Sequence, residues 1–412
     1  MKSSVIFGAG AIGLAFLGDL LEQSHYQITF ADVRDDVVRW LNERGEYTIR
    51  VTDAEGERLR RIGHVRALDS AGYGKDPALT DALRQCVASA DILFTAAGEG
   101  ALVPIGRVIG DALRYRLKTT DAPLNIICCE NIKDPGSILR GAILQAAGDL
   151  SATIGARVAI CRSVISRMTP VVTDPASITT EAYAQIPVEK APWLGAPPDI
   201  VGVRLVEDFE AYKMQKLIMH NMTHAVAAYL GYFLGKEDVC DCVRDPLIGH
   251  ATKCALAESH RIMRAEFALP DDELRQHAED LFRRYGNPSL GHKVPNVARD
   301  PIRKLSPGDR FHSGLTLAER HHVPVPCAEL GAAFALNYDK ADDLSAPQLQ
   351  EMIASKGIDR VLCEVCGLEL GSDLASRLKE LHGEVRRALN EQQSAGREDA
   401  VRRLIERTMA AT

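Results

Sequence analysis

The chain has 412 residues, enough for two domains and a sizeable core, and its 46% hydrophobic and 25% charged residues are the balance of a soluble globular protein. A formal net charge of −7 argues against nucleic acid or an anionic membrane as a partner. No apolar run reaches the length of a membrane span, no signal-peptide layout opens the chain, and the ten cysteines are scattered, so a reduced, cytoplasmic protein is expected.

The first element is a short apolar strand, Val5, Ile6 and Phe7, which meets Gly8-Ala9-Gly10-Ala11-Ile12-Gly13. An amphipathic helix follows through residue 21, then a second apolar strand at 28–31 that ends at Asp32. In this strand–glycine turn–helix–strand–acid order, Gly8 permits the tight turn, Gly10 lets the backbone approach a pyrophosphate, and Gly13 lets helix and strand pack closely. The helix N-terminus offers free N–H groups to phosphates. The Asp32 carboxylate can accept from both ribose hydroxyls and would repel a 2′-phosphate, which predicts NAD rather than NADP. Arg34 weighs on the other side of that choice. Gly8, Gly10, Ala11, Ile12, Gly13 and Asp32 are therefore the expected cofactor-binding set, with Glu130 from a later strand end.

Further strands are expected at 47–51 (with a turn at 53–56), 92–97, 124–129 and 157–161, with helical stretches between several of them. This alternation predicts an α/β domain: a Rossmann-type, doubly wound, mostly parallel sheet over residues 1–204, binding its ligand beyond the carboxyl ends of the strands. Gly98-Glu99-Gly100 and Glu130-Asn131 sit at such ends. Prolines 192, 197 and 198 punctuate the join, and helical periodicity dominates the second domain, 205–412. Residues 374–409 read as a charged, amphipathic helix pair.

The most informative stretch of that domain is Lys216-Leu217-Ile218-Met219-His220-Asn221-Met222-Thr223-His224, which continues as an apolar run with no helix breaker until Gly231. It reads as a buried helix, and a buried ammonium group must find a partner or give up its proton. At ~100° per residue, Lys216, His220, His224 and Asn221 fall at about 0°, 40°, 80° and 140°. A candidate base, a hydrogen-bond donor and two imidazoles thus share one arc.

With the glycine turn and this helix together, the chain resembles the polyol-specific long-chain dehydrogenase/reductase family. The resemblance rests on residues 7–13 with Phe16 and Gly18, on 29–33, 123–127 and Cys129-Glu130-Asn131, and on Arg167 and Pro170. It continues through Lys216, Asn221, His224, Tyr229-Leu230-Gly231, Asn287-Pro288, Arg303-Lys304-Leu305-Ser306 and Asp309-Arg310. It implies metal-independent, NAD-dependent hydride transfer, with neutral Lys216 taking the hydroxyl proton, Asn221 and Asn131 donating to the developing alkoxide, and His224 orienting the substrate. His220 lies outside the family pattern and is left to packing.

Arg303, Lys304 and Arg310 are the expected phosphate ligands, because arginine suits bidentate phosphate capture and lysine adds a point charge. The implied reaction interconverts a polyol phosphate (mannitol 1-phosphate) and a ketose phosphate (fructose 6-phosphate). An unphosphorylated polyol or a sugar acid is the alternative substrate, and a monomer or small homo-oligomer the expected state. Departures from the family pattern are Ala11 and Leu14 in the glycine turn, Ser166 before Arg167, and Lys213 where relatives using unphosphorylated mannitol carry an acid. Cys363 and Cys366 lack the second pair a structural zinc site needs, Cys240 and Cys242 have the wrong spacing, and no metal is expected.

Overall fold

The computed structural model describes residues 1–53, 55–170, 172–391 and 394–410. It falls into two compact units, Met1–Tyr212 and Lys213–Thr412.

In the first unit six strands form one all-parallel sheet: β1 Ser3–Phe7, β2 Gln27–Asp32, β5 Val65–Asp69, β6 Ile92–Thr95, β7 Leu124–Cys128 and β8 Val158–Arg162. Their spatial order is β5-β2-β1-β6-β7-β8, so the winding reverses between β1 and β6. Successive residues of each strand feed opposite cores. Ile6, Phe30 and Phe94 pack on one face, while Val5, Phe7, Leu93 and Ile126 pack on the other. Burial on both faces explains why these strands read as unbroken apolar runs.

The strand expected at 47–51 does not join this sheet. It lies in β3 Tyr47–Asp53, paired antiparallel with β4 Gly56–Ile62 and parallel with β9 Ile178–Glu181. Of the turn expected at 53–56, Ala54 lies outside the described residues. The third strand of the main sheet is instead β5, at an edge, where a five-residue segment containing Arg66 gives little apolar signal. The parallel pair β10 Ile186–Glu189 and β11 Val203–Val206 completes the unit's strands among the described residues.

The second unit is built from helices. Thr223–Phe233 runs on through Gly231, with only His224 and Tyr232 left partly exposed, against Pro246–Glu266, Val294–Ala298 and Pro326–Leu336. The buried Glu258 carboxylate accepts from the Cys327 and Ala328 N–H groups (2.8 and 2.9 Å), satisfying the first donors of Pro326–Leu336. The chain closes with helices Asp373–Leu389 and Ser394–Ala410; of the helix pair expected at 374–409, Gln392 and Gln393 lie outside the described residues. No helix among the described residues is long and apolar enough to cross a membrane.

Candidate functional site

At the carboxyl ends of β1 and β6, where the winding reverses, lies a cleft of about 810 Å³ lined by Gly8, Gly10, Ala11, Asp32, Arg34 and Ala97 among others. Gly8 has φ +107°, and a Cβ there would stand 2.6 Å from the Ala96 carbonyl oxygen. A Cβ on Gly13 would stand 1.9 Å from the Gly8 carbonyl oxygen, so the turn closes only without either side chain. Around Gly10 nothing lies within 4 Å of the corresponding position, which leaves its backbone open to a ligand. Ala11 lines the cleft, whereas Ile12 packs against the core.

Asp32 is already engaged. Its carboxylate accepts from the Ala9 N–H at 2.6 Å and from the Arg34 N–H at 2.9 Å, with Arg34 Nε at 3.3 Å. Arg34 Nη2 also donates to the Ala9 carbonyl at 2.6 Å, so the arginine ties the acid to the glycine turn. Glu130, buried just beyond β7, accepts from the Thr95 hydroxyl (2.7 Å) and the Ala97 N–H (3.3 Å), and burial pushes its carboxyl up from the ordinary value. Asn131 follows it and is exposed.

The helix after the glycine turn opens with a π-helical stretch, Gly13–Leu17. The Tyr47 hydroxyl donates to the Leu14 carbonyl (2.7 Å) and Arg167 Nη1 donates to the Ala15 carbonyl (2.8 Å). Arg167 also meets buried Asp19 at 2.9 Å and stacks over Phe16, its guanidinium carbon 4.5 Å from the ring centroid. Arg167 therefore braces the turn from behind.

In the second unit the Lys216 segment is itself π-helical over Gln215–Met222. Each residue of a helix closed by i→i+5 bonds turns through less than 100°, which aligns residues five apart. Lys216 and Asn221, about 140° apart at α-helical spacing, are thereby drawn closer round the helix. Lys216 keeps some surface, but crowding by protein atoms, then the charge of Arg310, pushes its ammonium down to about 8. His220 is buried and its Nδ1 has no hydrogen-bond partner among the described residues; burial, followed by Arg284, holds it well below the usual imidazole value. His224 stacks on Tyr285 with centroids 4.6 Å apart and planes 5° from parallel. Burial, then His292 and Arg310, likewise hold it neutral.

The three expected phosphate ligands part company. Arg310 Nε meets Asp309 at 2.9 Å and Nη1 meets the Asn221 carbonyl at 3.4 Å, so it reaches the Lys216 turn. Lys304 is buried, donates to the Arg299 carbonyl, and is pushed down to about 7 by burial, then by Arg310 and Arg303. Arg303 is half exposed between Asp300 (3.0 Å) and Asp309 (2.9 Å). The sequence reading passed over Tyr285, His292 and Arg284, although Arg284 and Tyr285 stand just before the quoted Asn287-Pro288.

Comparisons with known proteins bear on the family and the fold. Residues 2–202 match the mannitol dehydrogenase Rossmann domain and residues 208–384 the mannitol dehydrogenase C-terminal domain. The chain is 38% identical over 367 residues to a mannitol-1-phosphate 5-dehydrogenase of Bacillus licheniformis, covering 88% of this chain and 95% of that one. It is 34% identical over 375 residues to the enzyme of the same name from Bacillus pumilus, covering 89% and 96%. Among solved structures, a substrate-free D-sorbitol dehydrogenase shares the fold with a TM-score of 0.77 at 18% identity, over 97% of this chain and 94% of that one. Mannitol 2-dehydrogenase of Pseudomonas fluorescens, in a ternary complex with NAD and D-mannitol, aligns with a TM-score of 0.68 at 17% identity, over 98% and 94%. With both domain models matched and relatives above 30% identity along most of its length, this chain belongs to the mannitol dehydrogenase family.

Proposed function

We propose that the protein is an NAD-dependent oxidoreductase that interconverts mannitol 1-phosphate and fructose 6-phosphate. The observation that carries the chemistry is Lys216, a lysine desolvated to a proton affinity near neutrality beside Asn221 and His224. The residues of the glycine turn fit a dinucleotide: Gly8 and Gly13 shape it, Gly10 leaves it open, and Asp32 stands at the end of β2 for ribose hydroxyls. The bound nicotinamide supplies the hydride acceptor. Neutral Lys216 takes the hydroxyl proton as the carbinol C–H bond breaks, so alcohol becomes ketone and the ammonium releases the proton afterwards. Asn221 and Asn131 are assigned as donors to the oxygen that carries the developing charge, each worth a few kcal/mol when preorganised. Neutral His224, held flat against Tyr285, donates a hydrogen bond that orients the sugar.

The phosphate reading rests on charge. Arg310 depresses the proton affinity of Lys216, His224 and Lys304, and Lys304 that of His224, so the group forms a cationic environment that an anion would relieve. Arg310 is assigned as the leading ligand, Lys304 supports it, and Arg303 acts at the rim. NADH oxidation measured with fructose 6-phosphate and with fructose tests this reading. Comparable kcat/KM for the two sugars would defeat the phosphate assignment, and no rate with any ketose would defeat the reaction class.

A further inference from the structure

Three consecutive carbonyls of the π-helical turn each receive a side-chain donor. Thr223 Oγ1 donates to Met219 O (2.5 Å), the Tyr285 hydroxyl to His220 O (2.7 Å), and Arg310 to Asn221 O (3.4 Å). In an α-helix these oxygens would be served by N–H groups four residues on. The Tyr285 oxygen also lies 3.0 Å from Thr223 Oγ1, so the two hydroxyls and two carbonyls form one buried set. Tyr285 comes from the end of helix Asp271–Tyr285, and its ring is the one stacked on His224.

We propose that Tyr285 is a positioning residue: its hydroxyl holds the turn at Gln215–Met222 in the i→i+5 winding that draws Lys216 and Asn221 closer round the helix, while its ring fixes the His224 imidazole. The inference rests on the assignment of those three residues above and adds what sets their geometry. The His220 carbonyl also accepts from the Thr223 N–H, three residues on; without the hydroxyl it is left to such backbone donors, the turn relaxes toward α, and Lys216 rotates away from Asn221 and out of its crowded surroundings. The charged and titratable groups facing this turn are Arg310 from Arg310–Arg320, Arg284 and His277 from Asp271–Tyr285, and His292 and Lys304 beyond. Arg310 opposes protonation of Lys216 and His224, and the others oppose protonation of His220 or His224.

Tyr285→Phe keeps the ring and removes the hydroxyl. Two readouts decide: the titration of Lys216, followed by acetic anhydride labelling and mass spectrometry, and kcat with NADH and fructose 6-phosphate. In the wild type the Lys216 midpoint is expected at about 8. In Tyr285→Phe it should rise by about a unit and kcat should fall by about tenfold or more, with NADH affinity within about twofold. Either readout unchanged in the folded variant overturns the proposal. Should Tyr285→Phe fail to fold, Thr223→Val removes the other hydroxyl of the set and is judged by the same readouts, with Thr223→Ser expected to restore both. A wild type that oxidises no NADH with any ketose sinks the functional reading instead, and the Lys216 titration then decides this proposal alone.

Discussion

Lys216 owes its lowered proton affinity first to burial and then to Arg310, and both causes can be tested at single residues. Lys216→Ala should lower turnover by about 10³ while NADH still binds, since only the proton transfer is lost. Because the neutral amine is the active base, alcohol oxidation should rise with pH through about 8 to a plateau. Ketone reduction needs the ammonium form and should fall over the same range. Initial rates in both directions check this. At the cofactor turn, Asp32→Ala would remove the acceptor that Ala9 and Arg34 share. NAD affinity should drop, and the released Arg34 guanidinium can meet a 2′-phosphate, so the NADP/NAD ratio of kcat/KM should rise by about tenfold or more. An unchanged ratio would show that Arg34 has no part in cofactor choice.

Two π-helical turns, Gly13–Leu17 and Gln215–Met222, lie in the glycine turn's helix and in the Lys216 segment. Both have carbonyls served by side chains remote in sequence: buried Tyr47 and Arg167 for the first, buried Tyr285 and partly exposed Arg310 for the second. Periodicity at 100° per residue put Lys216 and Asn221 on one arc about 140° wide, and the wider winding narrows it. The sequence does not show this narrowing, because the donors that reach the turn's carbonyls come from other elements. Tyr47→Phe should cost about 1–3 kcal/mol by leaving the Leu14 carbonyl short of a donor in a buried site. Urea denaturation measures the loss, and NADH affinity should weaken with it because the same turn shapes the cofactor cleft.

Across the second unit, His220, His224, His277, His292 and His382 are all held below the ordinary imidazole value, chiefly by burial. The unfolded chain therefore takes up these protons first. Their contribution to stability is complete above about 6.5 and is lost as pH falls from there toward about 3, where His277 titrates in the folded state. Glu258 acts in the opposite sense: burial raises it to about 7, so its contribution is complete below the ordinary 4.5 and is lost as pH rises through 7. Thermal unfolding scanned over pH should show the acid-side loss in residues 213–412. Glu258→Gln should flatten the decline between pH 4.5 and 7 while leaving the acid side in place; a variant with the wild-type decline would count against the buried-carboxylate account.

The sequence by itself determined what local pattern can carry. The strand, glycine turn, helix and Asp32 are contiguous, and their backbone demands are steric, so they were legible without any partner. Lys216, Asn221 and His224 were legible as a group because one helix holds them. Only the tertiary structure decided how each of these groups is set. The edge strand β5, the hairpin of β3 and β4, the pairing of Asp32 with Arg34 and the burial of Lys304 depend on neighbours that pattern does not reveal. The clearest case is the Tyr285 hydroxyl on the His220 carbonyl, a bond between residues 65 apart in sequence. A helix's winding answers to every donor that reaches its carbonyls, and those donors arrive only when the chain has folded.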